Sequence, residues 1–327
     1  MTPALPAHDP ALTLGTAVIG VGYFGSLHAC CYSRLPGNRL LALVDPDPAT
    51  QALAERLSVP WYKQLESLPS SVQAVSVATP VASHYEVTRT LLLRGIDVLL
   101  EKPITETPAQ AAELRYLAEA SQCVLQVGHI ERFNPAFACG PALLSQARSV
   151  RSIRTTRRSP RASARDVVID LMIHDLDLIR CGIRADVVEL QASGRSHGLS
   201  PIDEAEVDLT FANGCRVCLH AHWGSATGAE DRCMVVEVGE HETWAIDFRQ
   251  RISYRMTKDR ASEPDFMPAA SVPGHDALSL ELESFLDASR RRAVPRVTPE
   301  DGHAALGLAQ QIRLQILGGL FNERAST

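Results

Sequence analysis

Basic charge is in short supply in this chain: Lys and Arg number 32 against 38 Asp and Glu, a net charge of -6 over 327 residues. That balance argues against a nucleic-acid partner, which would normally demand a basic face. No apolar run approaches the ~20 residues that span a bilayer. The eight cysteines show no disulfide-framework spacing. The opening MTPALPAHDPALTLG carries neither the basic n-region nor the long apolar h-region of a secretory signal. A reduced, cytoplasmic protein without membrane insertion is therefore expected. HExxH, GxSxG and a Walker loop are all missing, as are internal repeats and low-complexity segments.

What remains is an ordinary globular composition, 45% hydrophobic and 21% charged, in a chain longer than one core usually supports. Two domains are expected. Residues 1–14, rich in Pro and Ala, read as an N-terminal extension. Residues 15–135 read as an NAD-binding Rossmann domain, and 136–327 as an α+β domain for substrate binding and oligomerisation.

The first domain starts with GTAVIGVGYFG, where a strand over Thr16 to Ile19 meets Gly20, Gly22 and Gly25 and a helix follows from about Phe24 to Leu35. This is GxGxxG in its strand-turn-helix setting: the first glycine permits the tight turn, the second lets backbone approach a pyrophosphate, and the third allows close helix packing. The next strand, LLALVD, ends at Asp45, where a carboxylate can take the adenosine ribose hydroxyls. Pro46 and Asp47 follow, so a 2′-phosphate would meet negative charge without a counter-ion, and NAD is favoured over NADP.

Further strands (72–79, 97–101, 123–128) alternate with helices (83–95, 108–122), the pattern of a doubly wound parallel sheet. Ligands of such sheets bind beyond the carboxyl ends of the strands. Those ends carry Thr79, Pro80 and His84, then Glu101, Lys102 and Pro103, then His129, Glu131, Arg132 and Asn134. The ammonium of Lys102 would be able to hold negative charge developing on a substrate hydroxyl. A strand-end salt bridge is the alternative for the same triplet.

Residues 166–182, DVVIDLMIHDLDLIRCG, read as a helix apolar on nearly every side that nevertheless holds four ionisable groups, Asp170, His174, Asp175 and Asp177. Each needs a partner, a cleft or a task. In a regular helix Asp170, His174 and Asp177 fall on one face, the last two within about 40 degrees of Asp170, and Asp175 points elsewhere.

From about Arg151 the texture shifts to longer alternating strands, with a tight hairpin at Asn213-Gly214, so a mostly antiparallel sheet is expected, followed by helices at about 275–292 and 299–321. The arginines clustered between Arg148 and Arg165, Arg151, Arg154, Arg157, Arg158 and Arg161 among them, read as a solvated surface or an anion site. Cys215 and Cys218 form a CxxC on a strand, where i and i+3 point to opposite faces and cannot share a metal. His220 and His222 share a face, yet no further ligand lies at a recognisable spacing, so no metal is expected.

GVGYFG, ATP followed by His84, EKP, VGHIERFNP and DLMIHDLD stand in the order and approximate spacing of the Gfo/Idh/MocA oxidoreductase family, which the chain resembles from Gly15 onward. Within that family, HIERFNPAF and DLMIHDLDLI most resemble the UDP-N-acetylglucosamine 3-dehydrogenases, which supply a 3-keto sugar nucleotide for diamino-sugar lipid A. The resemblance implies NAD contacts from Gly20, Gly22, Tyr23, Phe24, Gly25, Asp45, Thr79, Pro80, His84, Glu101, Lys102 and Asn134. It implies catalysis by Lys102, by His174 as the base, and by Asp170, which would orient His174 or contact the sugar.

Candidates for contact with a UDP-sugar are Glu131, Arg132, Arg157, Arg158, Arg161, Arg165 and Asp177. A homodimer or homotetramer through the large sheet is expected, as is an aminotransferase that consumes the product. A uronic-acid analogue or a polyol such as inositol is the alternative substrate. A non-catalytic NAD-binding regulator is the alternative of another class.

Overall fold

The computed structural model describes residues 13–157, 166–198, 200–224, 230–256, 265–267 and 276–325. They form two compact units, one drawn from Met1–His129 and His275–His303, the other from Ile130–Gly274 and Ala304–Thr327. Residues 275–303, expected within the second domain, thus belong with the first unit. The expected N-terminal extension also ends earlier, because the first strand takes in Leu14.

The first unit runs β1 (Leu14–Ile19), α1 (Tyr23–Tyr32), β2 (Asn38–Val44), α2 (Thr50–Leu57), β3 (Trp61–Tyr62), β4 (Ala74–Val77), α3 (Val81–Leu93), β5 (Asp97–Glu101), α4 (Pro108–Ala120) and β6 (Leu125–Gly128). The six strands pair in parallel in the order β3-β2-β1-β4-β5-β6. The order reverses between β1 and β4, the switch point at which a doubly wound sheet opens a crevice. β1 and β4 are buried along their whole length, as expected of parallel strands covered on both faces. Thr107 and Gln110 form a reciprocal capping box at the start of α4, with Pro108 in the first turn where its missing N–H costs nothing.

The second unit adds α5 (Gly140–Ser145), β7 (Ala147–Arg157), α6 (Ile173–Gly182), β8 (Val187–Arg195), β9 (Glu204–Phe211), β10 (Arg216–Gly224), β11 (Asp231–Val238), β12 (Glu242–Asp247), β13 (Ile252–Met256) and β14 (Asp265–Met267). Helices α7 (Ala277–Arg291) and α8 (Pro299–Ala325) follow; α7 and the start of α8 lie in the first unit. The eight strands order as β14-β13-β12-β11-β7-β10-β9-β8. Only the β7–β10 pairing is parallel, so the expected mostly antiparallel sheet is present.

Side chains alternate along β9 and β10: Val207, Leu209, Val217, Leu219 and Ala221 join the core with Leu176 and Ile179 of α6 and Ile312 and Ile316 of α8. The opposite face presents Glu206, Asp208, Arg216 and Cys218. Gly214 closes the β9–β10 hairpin at φ 83°, a value only glycine adopts without strain. Strands β11 and β12 are separated by a turn at Gly239, whose φ is 60°.

Candidate functional site

In the first unit the glycine-rich turn is shaped by contact. A Cβ on Gly25 would stand 1.9 Å from the Gly20 carbonyl oxygen, and one on Gly20, whose φ is +81°, would meet the Thr79 nitrogen at 2.6 Å. At Gly22 a Cβ would enter open space, so the fold does not itself demand glycine there, and the close approach of a pyrophosphate would supply the reason. Helix α1 begins there without a side-chain cap and without an acidic residue in its first turn, which leaves its N–H groups and dipole to an anion. Tyr23 and Phe24 stand exposed at this end, edge to face at 5.4 Å.

Asp45 sits against the turn. One carboxylate oxygen accepts the Val21 N–H at 2.5 Å, the other the Asp47 N–H at 2.8 Å, which fixes its orientation before any ribose arrives. The Thr79 hydroxyl is buried without a hydrogen-bond partner at the end of β4. Uncapped helix, oriented carboxylate and orphaned hydroxyl fit a dinucleotide. Asp45→Ala should therefore weaken NAD binding by about tenfold to a hundredfold, the worth of hydrogen bonds to a charged group, and relax discrimination against NADP. Titration with both cofactors checks this; equal or tighter binding of NADP by the unaltered protein would contradict it.

The end of β5 forms a second corner. Glu101 accepts the Lys102 N–H through Oε2 and lies 3.2 Å from His28 Nε2 through Oε1. Lys102 is half-buried and joined to Pro103 by a cis peptide bond. His84 is buried, with its ring nitrogens 2.9 Å from the carbonyl oxygens of Pro103 and Thr79. It braces the ends of two strands against each other. Pro80 caps α3 from an exposed position.

In the second unit a π turn over Val168–Met172 precedes α6, where a regular helix was expected. Asp166 starts it by accepting the Ile169 N–H at 3.0 Å and is itself held by Arg313 at 2.5 Å. Single π turns break helical phase and recur at functional sites. The expected stripe is divided by burial. Asp170 and His174 are half-buried, whereas Asp177 is 1% exposed and takes Arg132 in a bidentate pair at 2.7 and 2.6 Å. Asp175, predicted to face away, binds Arg154 at 2.9 Å through both oxygens.

Arg154 also donates to Glu131 at 2.8 Å and lies 5.5 Å from the centre of the Phe248 ring. Burial opposes its charge, but Asp175 and Glu131 hold the guanidinium above its already high pKa. The other Glu131 oxygen accepts from Asn134, whose amide also bonds the Phe248 carbonyl and the Ala136 N–H.

Glu131 and Asn134 thus belong with Arg154 and Asp175 to one internal hydrogen-bonded set, Arg132 and Asp177 form a second buried pair, and two of the four ionisable groups in the helix hold arginines. Arg154 stands in the chain among arginines that read as a solvated surface or an anion site, yet it is buried. Strand alternation, which puts Arg151 and Arg154 on opposite faces, was the available signal. Arg157 is exposed at the end of β7; Arg158, Arg161 and Arg165 lie outside the described residues.

Cys215 is buried and Cys218 exposed, on opposite faces as expected. The His220 and His222 rings lie 5.1 Å apart. The strand paired with theirs brings Glu204 to 3.1 Å from His220, with Glu206 in the same cluster, neighbours that linear spacing does not reveal.

A parallel sheet with this turn and this acidic strand end defines an NAD-binding Rossmann oxidoreductase. Residues 14–129 match the oxidoreductase family model with an NAD-binding Rossmann fold, and residues 143–241 match the C-terminal domain of the same family. The chain belongs to the Gfo/Idh/MocA oxidoreductase family, and its cofactor is NAD.

Among relatives, it is 28% identical over 307 residues to UDP-N-acetylglucosamine 3-dehydrogenase of Acidithiobacillus ferrooxidans, spanning 92% of this chain and 96% of that one. A solved structure of that organism's UDP-N-acetylglucosamine 3-dehydrogenase GnnA superposes with a TM-score of 0.85 at 28% identity, over 93% of this chain and 98% of that chain. The scyllo-inositol 2-dehydrogenase (NAD(+)) of Bacillus subtilis is 24% identical over 307 residues, 87% of this chain and 89% of the relative. Among the described residues no helix is long and apolar enough to cross a membrane.

Proposed function

We propose that this enzyme oxidises the 3-hydroxyl of UDP-N-acetylglucosamine and feeds the 3-keto product to an aminotransferase of lipid A synthesis, in the cytoplasm. What carries the reading is similarity to the Acidithiobacillus enzyme over nearly the full length of both chains, in sequence and in fold, with Lys102, Asp170 and His174 all present.

NAD, when bound, accepts the hydride. The chain's own residues supply the rest. Backbone N–H groups at the start of α1 hold the pyrophosphate and Asp45 the adenosine ribose. Lys102 stabilises negative charge on the substrate oxygen as its proton leaves, His174 takes that proton, and Asp170 orients His174 or binds the sugar. Arg157, Arg158, Arg161 and Arg165 are the cations proposed for the UDP pyrophosphate. Arg132 is buried in its pair with Asp177. The open face of the eight-stranded sheet is proposed as the contact of a homodimer or homotetramer.

The inositol dehydrogenases among the relatives support a second reading, oxidation of a free polyol. Incubation with NAD and matched concentrations of UDP-N-acetylglucosamine, its uronic acid, free N-acetylglucosamine and myo-inositol separates these readings, provided a coupled aminotransferase draws off the ketone. UDP-N-acetylglucosamine should be preferred, and removal of UDP should abolish most binding. Preference for free sugar or inositol would defeat the sugar-nucleotide reading, preference for the uronic acid would move it to that analogue, and no turnover of any substrate would favour a regulator.

A further inference from the structure

Three ionisable side chains from three elements meet inside the first unit: His28 of α1, Glu101 at the end of β5 and Glu281 of α7. One polar atom of each lies within 4.8 Å of the others. Glu101 is well supplied with donors, the Lys102 N–H on one oxygen and His28 Nε2 on the other. Glu281 is 0% exposed, and neither carboxyl oxygen has a hydrogen-bond partner. Its backbone is fixed nonetheless, since Gln126 donates to its carbonyl at 3.1 Å, so the carboxyl is held in the cluster by the packing of α7.

An ionised carboxylate in such surroundings, without a donor and beside a second carboxylate, is strongly disfavoured. Of the two, Glu101 keeps the charge. Burial pushes its carboxyl up, but the His28 bond and charge, the Lys102 charge and the Lys102 N–H outweigh burial and leave it below the usual range. Glu281 has only burial and the Glu101 charge, and both push it well above that range. The titratable groups facing it are His28 and Tyr32 from α1 and Glu101 from β5; the Tyr32 phenol is bonded to Ser76 at 2.9 Å.

We propose that Glu281 is a positioning residue for the Glu101-Lys102 corner: as a neutral acid it donates its proton toward Glu101, and with His28 it fixes the carboxylate that anchors the Lys102 backbone. The corner is then a relay of fixed hydrogen bonds, from α7 and α1 through Glu101 to the main chain of Lys102. The link to turnover rests on the proposed role of Lys102; the protonation of Glu281 does not.

The protonated state has a direct consequence for stability. Below the ordinary carboxylate range Glu281 holds a proton in both folded and unfolded chains. As pH rises past about 4.3 the unfolded chain releases that proton while the folded protein keeps it, so stability falls until the raised folded value is reached. Glu281→Gln has the shape and a donor but no proton to lose. Its melting temperature should climb relative to the unaltered protein as pH rises past the ordinary carboxylate range.

Infrared difference spectra at neutral pH should show the C=O stretch of a protonated carboxylic acid in the unaltered protein and not in Glu281→Gln. Glu281→Leu, which packs but cannot donate, should lower kcat about tenfold, the worth of one hydrogen bond, with KM little changed, and Glu281→Gln should restore most of that loss. Parallel melting curves against pH, or a missing acid band, would overturn the proposal. So would a stoichiometric divalent metal in the purified protein that Glu281→Gln loses, since a cation would then hold the three groups together. Failure of Lys102→Met to affect turnover would defeat the catalytic reading and leave the infrared and melting results standing.

Discussion

Lys102→Met and His174→Ala should each lower turnover by about two to four orders of magnitude, the usual worth of a positioned acid-base group, while leaving NAD affinity nearly intact. The expectation for Lys102 stems from its backbone, which Glu101 holds at 3.2 Å, and from the strand end it occupies, where parallel sheets place their ligands. Methionine keeps the length and removes the charge, so the change isolates stabilisation of the substrate oxygen. His174 follows a π turn and remains half-buried while its neighbours Asp175 and Asp177 are sealed. Steady-state kinetics with separate cofactor titration checks both variants. Near-normal turnover in His174→Ala would return that histidine to an ordinary core role.

Arg154→Met should destabilise the second unit by about 3–5 kcal/mol, because it leaves Asp175 and Glu131 as uncompensated buried charges. Arg154 is 2% exposed and bonds both carboxylates, so solvent screens little of the loss. The thermal midpoint should drop by of the order of 10 °C. The pairing, and not the arginine itself, is what the fold requires: adding Asp175→Asn and Glu131→Gln to Arg154→Met should recover much of the loss, since neutral partners need no counter-charge. Calorimetry on the single and triple variants decides this. A single variant as stable as the parent would show that water or rearrangement already satisfies the two acids.

The first unit was readable because its signals are local. The turn at Gly20, Gly22 and Gly25 and the strand ending in Asp45 are set by steric rules spanning a few residues, and their geometry follows the expected form. Alternation likewise foretold the opposite faces of Cys215 and Cys218. Contacts between distant segments were not legible. Nothing near Asp177 in the chain announces Arg132, and nothing near Glu281 announces His28 or Glu101, which other elements bring to it. His28 carried a weak signal, standing three residues beyond Gly25, but its partner Glu101 is 73 positions away. The π turn lies before His174; what sets Asp177 apart from Asp170 and His174 is burial against Arg132, a contact from another segment.

The substrate assignment is tested most directly with UDP-N-acetylglucosamine carrying deuterium at C3. Incubated with NAD and the coupled aminotransferase, the enzyme should move that deuterium to the nicotinamide, seen as deuterated reduced cofactor by mass spectrometry, with a slower rate than the unlabelled sugar nucleotide. Reduced cofactor without the label, or reduction driven by free myo-inositol while the labelled sugar nucleotide is returned unchanged, would contradict oxidation at the 3-hydroxyl.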